Sequence, residues 1–165
     1  MPTWEAFSRA DMVFGIGYWH RFFLAQPHAL PECLIGTDPA YFFLSRRERS
    51  HAFASEALEE HLRCFREPRM VHAICEDYRA AATLDFAHDE ADCREGRRIT
   101  CLVLALWGWQ GYLEEWHDVL GIWRGWTDKV RGRALESGHY LPEEAPEEPH
   151  SGLHAFFGAG QSASL

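Results

Sequence analysis

The run Thr100-Cys-Leu-Val-Leu-Ala-Leu106 limits the possible folds of this chain more than any other feature. It is continuously apolar, rich in strand formers, and followed at once by Trp107-Gly108. A short segment that is apolar at every position, rather than at every second one, suits a strand buried on both faces, as in a parallel sheet. Val130 to Glu136 reads as a second, more polar strand near the sheet edge. Between the two, Leu113, Trp116, Leu120 and Trp123 share one face of a helix. A last helix ends in Leu153, Phe156 and Phe157, although Pro149, Ser151 and Gly152 weaken it. Strand, helix, strand, helix is the signature of an α/β chain with a doubly wound sheet. Two strands alone make a poor sheet, so both faces and at least one edge call for partners that residues 97–165 do not supply.

The preceding residues read as helical throughout. Thr3 is placed to cap a helix carrying Trp4, Phe7, Phe14, Tyr18 and Phe22, with Pro27 and Pro31 ending it. Asp38-Pro39 offers a cap followed by proline at the first helical position, leading into Tyr41-Phe42-Phe43-Leu44. A helix from about Ser55 puts Leu58, Leu62 and Phe65 on one stripe. Pro68 opens another through Val71, Ile74, Cys75 and Tyr78. Asp85 to Arg94 is a shorter piece, with Gly96 suited to its C-terminal cap. The expected division is a helical region over 1–96 and a strand-containing region over 97–165.

With 47% hydrophobic and 25% charged residues, the 165 residues have the composition of an ordinary globular domain. A net charge of -9 speaks against nucleic acid as a partner, because phosphate binding needs clustered positive charge. Arg46, Arg47 and Arg49 form the densest basic cluster, but Glu48 interrupts it, and a solvated surface is expected there. No apolar run approaches the roughly 20 residues of a membrane span, and Met1-Pro-Thr-Trp-Glu-Ala6 lacks the basic start of a signal peptide. Cys33, Cys64, Cys75, Cys93 and Cys101 contain no C-x-x-C pair, so reduced thiols and a cytoplasmic location are expected. Ten histidines are present. No metal-ligand spacing is expected among them, and no metal and no cofactor.

One histidine is placed as a general base would be. His139 follows the second strand and a Ser-Gly turn, and precedes a proline- and glutamate-rich helix start, so one side is held and the other is exposed. Without further context a turn histidine is the commoner reading. A base of this kind serves a nucleophile, and no G-x-S-x-G, G-x-D-x-G or G-x-C-x-G elbow occurs in the chain. Gly121-Ile-Trp-Arg-Gly125 carries no nucleophile. Glu143, Glu144, Glu147 and Glu148 favour a helix start through the macrodipole and need no further role.

Four segments together resemble the haloacetate (fluoroacetate) dehalogenases of the α/β-hydrolase fold. They are Tyr18-Trp-His-Arg-Phe-Phe-Leu-Ala-Gln-Pro27, Cys75-Glu-Asp-Tyr-Arg-Ala80, Leu104-Ala-Leu-Trp-Gly108 and Glu136-Ser-Gly-His-Tyr-Leu-Pro-Glu-Glu-Ala-Pro146. The match runs from residue 2 to about 157. It implies a partial α/β-hydrolase fold, with 1–96 as helical cap and 97–165 as the last two strand–helix units of the core. In that family an aspartate displaces halide from a small 2-haloacid to form an ester, and a histidine-activated water hydrolyses it. His139 matches that histidine. His20 and Tyr78 match two cap residues that hydrogen-bond the departing halide, and Arg21 stands where the family usually has tryptophan.

The aspartate, and the paired arginines that usually follow it, have no counterpart in this chain. Glu114 and Glu115 are stand-ins at best for the acid that orients the histidine. The resemblance therefore implies the carboxy-terminal portion of a longer hydrolase, inactive alone. The alternatives are half of a split enzyme completed by an N-terminal chain, an epoxide hydrolase relative, and a non-catalytic helical module that forms a homodimer through the cap.

Overall fold

The computed structural model describes residues 11–45 and 53–158. Thr3, Trp4, Phe7 and the Arg46, Arg47, Glu48, Arg49 cluster lie outside the described residues. The chain divides into two compact units, one holding residues 11–45 and 54–96, the other residue 53 and residues 97–158.

The first unit consists of helices α1 (Met12–Gly17), α2 (Trp19–Leu24), α3 (Leu30–Thr37), α4 (Pro39–Ser45), α5 (Ser55–Phe65), α6 (Pro68–Ala82) and α7 (Leu84–Glu95). The single helix expected through Phe22 is broken. Asp11 caps α1 by accepting from the Phe14 amide at 2.9 Å, and Tyr18 leaves helical geometry at φ -106° and ψ 20°. Gly15 and Gly17 weaken the first segment, and the Asp11 side chain provides a competing start. Pro31 does not terminate a helix; it sits in the first turn of α3, where its missing N–H costs nothing. The reversal before α3 is made by His28 and Ala29, at φ 63° and 45°.

The other starts and stops follow the sequence. Asp38 Oδ1 accepts from the Tyr41 amide at 2.9 Å and caps α4. Leu58, Leu62 and Phe65 are the half-buried stripe of α5. Gly96, at φ 67°, closes α7, a conformation that a Cβ would strain.

The core of this unit is Leu24, Ile35, Val71 and Cys75, with Phe23, Phe42, Phe65, Ile74 and Tyr78 packed around it. Burying each large apolar side chain contributes about 1.5–3 kcal/mol. Phe42 and Phe65 stack with ring centroids 6.0 Å apart. At the edge of this core Arg79 of α6 ties down the α2–α3 connection. It donates to both carboxylate oxygens of Glu32 at 2.8 Å and to the Gln26 carbonyl at 2.9 Å.

The second unit contains strands β1 (Val103–Gly108) and β2 (Val130–Leu135), which pair in parallel from Val103↔Val130 to Gly108↔Leu135. β1 starts three residues later than the apolar run and continues through Trp107 and Gly108. Strand β2 fixes that register: it begins at Val130, so residues 100–102 have no partner in the ladder and Leu102 is exposed. Ala105 is buried, and Val103, Leu104 and Leu106 are half-buried. The crossover is two short helices, α8 (Tyr112–Trp116) and α9 (Val119–Arg124), rather than one. His117 is extended, and Asp118 Oδ1 accepts from the Gly121 amide at 2.8 Å to start α9. A Cβ on Gly121 would lie 2.2 Å from Asp118 Oδ2, so this cap depends on glycine.

Helices α10 (Leu141–Glu144) and α11 (Glu147–Gly158) complete the unit. Pro149 is buried within α11, and the helix runs on through Gly152, which faces the Leu106 side chain. Arg133 of β2 pairs with Glu148 at 2.7 Å, and the Arg131 guanidinium lies 5.2 Å from the Phe156 ring centroid. Among the described residues no helix is long and apolar enough to cross a membrane.

Candidate functional site

His139 lies in the loop that follows β2, where the ends of both parallel strands meet. The Trp109 amide donates to the Leu135 carbonyl and the Gln110 amide to the Ser137 carbonyl, each at 3.1 Å, so the loops after β1 and β2 are stitched together. Ser137 is buried. Gly108 makes the close approach possible: a Cβ there would stand 1.8 Å from the Gly138 carbonyl oxygen.

From the other side Glu144 of α10 accepts from the Gly138 amide and, at 3.1 Å, from the Tyr140 amide. One carboxylate thus holds the backbone on both sides of His139, while the imidazole itself is exposed. The His139 ring meets Tyr140 with centroids 5.1 Å apart, and Tyr140 packs on Phe53 at 4.7 Å. This corrects the view that the four glutamates serve only helix starts. Glu144 positions the histidine loop and Glu148 pairs with Arg133. The sequence signal was there in the five-residue separation of His139 and Glu144, but only the fold of α10 turns the carboxylate back on the loop.

The Glu114 carboxylate accepts from the Trp107 indole N–H. Glu115 is exposed on α8.

In the helical unit, His20 on α2 and Tyr78 on α6, 58 positions apart in the sequence, come together with ring centroids 6.2 Å apart at 82°. Both are half-buried. Tyr18 also meets this histidine, with centroids 6.3 Å apart. Burial pushes the Tyr18 hydroxyl above its ordinary range, and the Arg21 charge pulls in the opposite direction. Arg21 lies over the Tyr18 ring, its guanidinium carbon 5.0 Å from the centroid. The group offers an imidazole and two phenols, all able to donate hydrogen bonds, with a fixed cation beside them. Tyr18 is the member that periodicity alone assigned to the core.

Two arrangements bear on metal ligation. Glu32, His72 and Glu76 bring ligand atoms within 4.8 Å of one another. Arg79 bonds both glutamates, and His72 Nδ1 is 3.1 Å from Glu32 Oε1, so a guanidinium already engages the carboxylates a metal ion would need. It holds the Glu32 carboxyl far below the usual range, at about 2. The expectation of no metal-ligand spacing among the histidines is wrong at one place. His150-Ser-Gly-Leu-His154 is an H-x-x-x-H pair on α11, its rings 6.4 Å apart.

No family model matches the chain. It is 30% identical to a fluoroacetate dehalogenase from Burkholderia sp, over 98% of this chain and 54% of that protein. Among solved structures, a protein of Nostoc sp PCC 7120 provisionally described as an alpha/beta hydrolase is 45% identical. The match covers 94% of this chain and 54% of that one, with a TM-score of 0.88. A Pseudomonas aeruginosa protein provisionally described as an epoxide hydrolase is 38% identical, covering 99% of this chain and 56% of that one at a TM-score of 0.88. The chain therefore spans about half the length of the relatives it matches, and it carries part of the α/β-hydrolase fold.

Proposed function

We propose that this partial α/β-hydrolase chain, similar to haloacetate dehalogenases, supplies the cap and the general base for hydrolysis of small 2-haloacids such as fluoroacetate. An aspartate carboxylate from outside residues 1–165 displaces the halide: a C–O bond forms as the carbon–halogen bond breaks. His20 and Tyr78 donate hydrogen bonds to the departing halide, with Arg21 beside them in place of the tryptophan usual in such dehalogenases. His139 then takes a proton from water as that water attacks the ester carbonyl, releasing the 2-hydroxyacid and restoring the carboxylate. No metal or organic cofactor enters this scheme.

The observation that carries the reading is the setting of His139, exposed at the end of a parallel strand with its flanking amides held by Glu144. The five unpaired cysteines fit a reducing, cytoplasmic setting. Because residues 1–165 contain no nucleophile elbow, the isolated chain is expected to release no halide. Mixed with a polypeptide carrying the first strands and a G-x-D-x-G elbow, it should release halide from fluoroacetate or chloroacetate, and His139→Ala should abolish this. Halide release by the isolated chain, lost on His139→Ala, would overturn the need for a nucleophile from outside these residues.

A second reading is favoured by Tyr18. Epoxide opening calls for two phenols to protonate the oxygen, and the rings of Tyr18 and Tyr78 both lie near His20. Diol formation from an epoxide by the complemented protein, with no halide release from haloacids, would select this reading.

A further inference from the structure

We propose that His150 and His154 form a two-imidazole site for a divalent transition metal on the outer face of α11. Residues four apart on a helix lie one turn above each other, so both rings project on the same side. Their centroids are 6.4 Å apart and their planes differ by 35°. Metal–nitrogen bonds of about 2.0–2.1 Å at a cis angle need the rings somewhat closer. Both side chains are exposed, and they line a shallow open hollow with Leu153, Phe157 and Gly158 that leaves room for the ion and its waters.

The helix presents this pair rigidly. Its opposite side is fixed by Gly152 against Leu106, by Phe156 under Arg131 and by Glu148 on Arg133. Once one imidazole has bound, the second acts at a high effective concentration, so the pair binds more tightly than two separate histidines. Glu147, one turn before His150, places a carboxylate on the same strip and adds negative potential. Neutral imidazole suits copper, nickel and zinc, and the order of affinity should be Cu²⁺ above Ni²⁺ and Zn²⁺. Water fills the remaining coordination positions. This site is separate from the His139 chemistry and does not depend on it.

The test is calorimetric titration of the untagged 165-residue chain with Ni²⁺ and with Zn²⁺ at pH 7.5, and with Cu²⁺ followed by visible absorption. One tight equivalent is expected, weakened at least about tenfold by His150→Ala or by His154→Ala and equally by the double substitution. His88→Ala and His72→Ala should leave it unchanged, which separates the pair from an isolated surface histidine and from the Glu32 cluster. Circular dichroism checks that the exposed substitutions leave α11 folded. Undiminished binding in the double variant, or equal losses in the His72 variant, would overturn the proposal. So would affinity in the unaltered chain no higher than that of one imidazole.

Discussion

Replacing Glu32 by glutamine removes one charge from the Arg79 network and keeps the shape of the side chain. Glu32 accepts two bonds from the guanidinium at 2.8 Å, with 14% of its side chain exposed against 17% for Arg79. Solvent-exposed pairs contribute about 0–1 kcal/mol, whereas breaking a fully buried pair costs about 3–5 kcal/mol. The guanidinium holds the Glu32 carboxyl at about 2, which corresponds to about 3 kcal/mol before solvent screening is allowed for. A mostly shielded, bidentate pair that water still reaches should therefore lose about 2 kcal/mol. For a chain of this length that is about 4–8 °C in Tm.

The sign with pH follows from a folded-state pKa below the unfolded one. The stabilisation is complete above about 4.5 and is lost as pH falls through about 2. Urea unfolding followed by tryptophan fluorescence, at pH 7 and at pH 3, should show the gap between the two proteins narrowing at the lower pH. An unchanged midpoint at pH 7, or a gap that ignores pH, would refute the reasoning.

Four further outcomes follow from single positions. Gly108→Ala should cost about 2–4 kcal/mol, because its Cβ meets the Gly138 carbonyl; equilibrium unfolding and the amide shifts of the His139 loop report it. Glu144→Ala leaves the Gly138 and Tyr140 amides without their acceptor, about 1–3 kcal/mol, and should raise their hydrogen exchange more than that of β2. Ala29→Gly should stabilise by about 0.5–1 kcal/mol, since φ 45° strains any residue with a Cβ. With iodoacetamide at pH 8 the exposed Cys33, Cys93 and Cys101 should react well before Cys75. That thiol is buried and is pushed up to about 11, by burial first and by the Glu32 charge second.

Where an element depends on its own residues, the sequence marked it closely. Asp38-Pro39, Pro68 and Gly96 bound helices as their chemistry requires, because a cap, a fixed φ and a positive φ are local properties. Where two local signals competed, periodicity alone misled. Asp11 and Asp118 each start a new helix inside an apolar pattern that looks continuous. The start of β1 was also beyond local reading, since only the position of Val130 on the partner strand decides which apolar residues enter the ladder.

By itself, then, the sequence determined a helical region followed by a strand–helix–strand–helix unit. It also marked out His139 by its place after a strand and a turn, while His20 and Tyr78 stood out only through the resemblance to haloacetate dehalogenases. Only the tertiary structure decided that Glu144 holds the amides around His139. It also brought Tyr78 as well as Tyr18 close to His20, and made one network of Glu32, His72, Glu76 and Arg79. The reason is physical: hydrogen bonds and ring contacts between residues far apart in the chain exist only once packing has brought their elements together, and no local pattern encodes that approach.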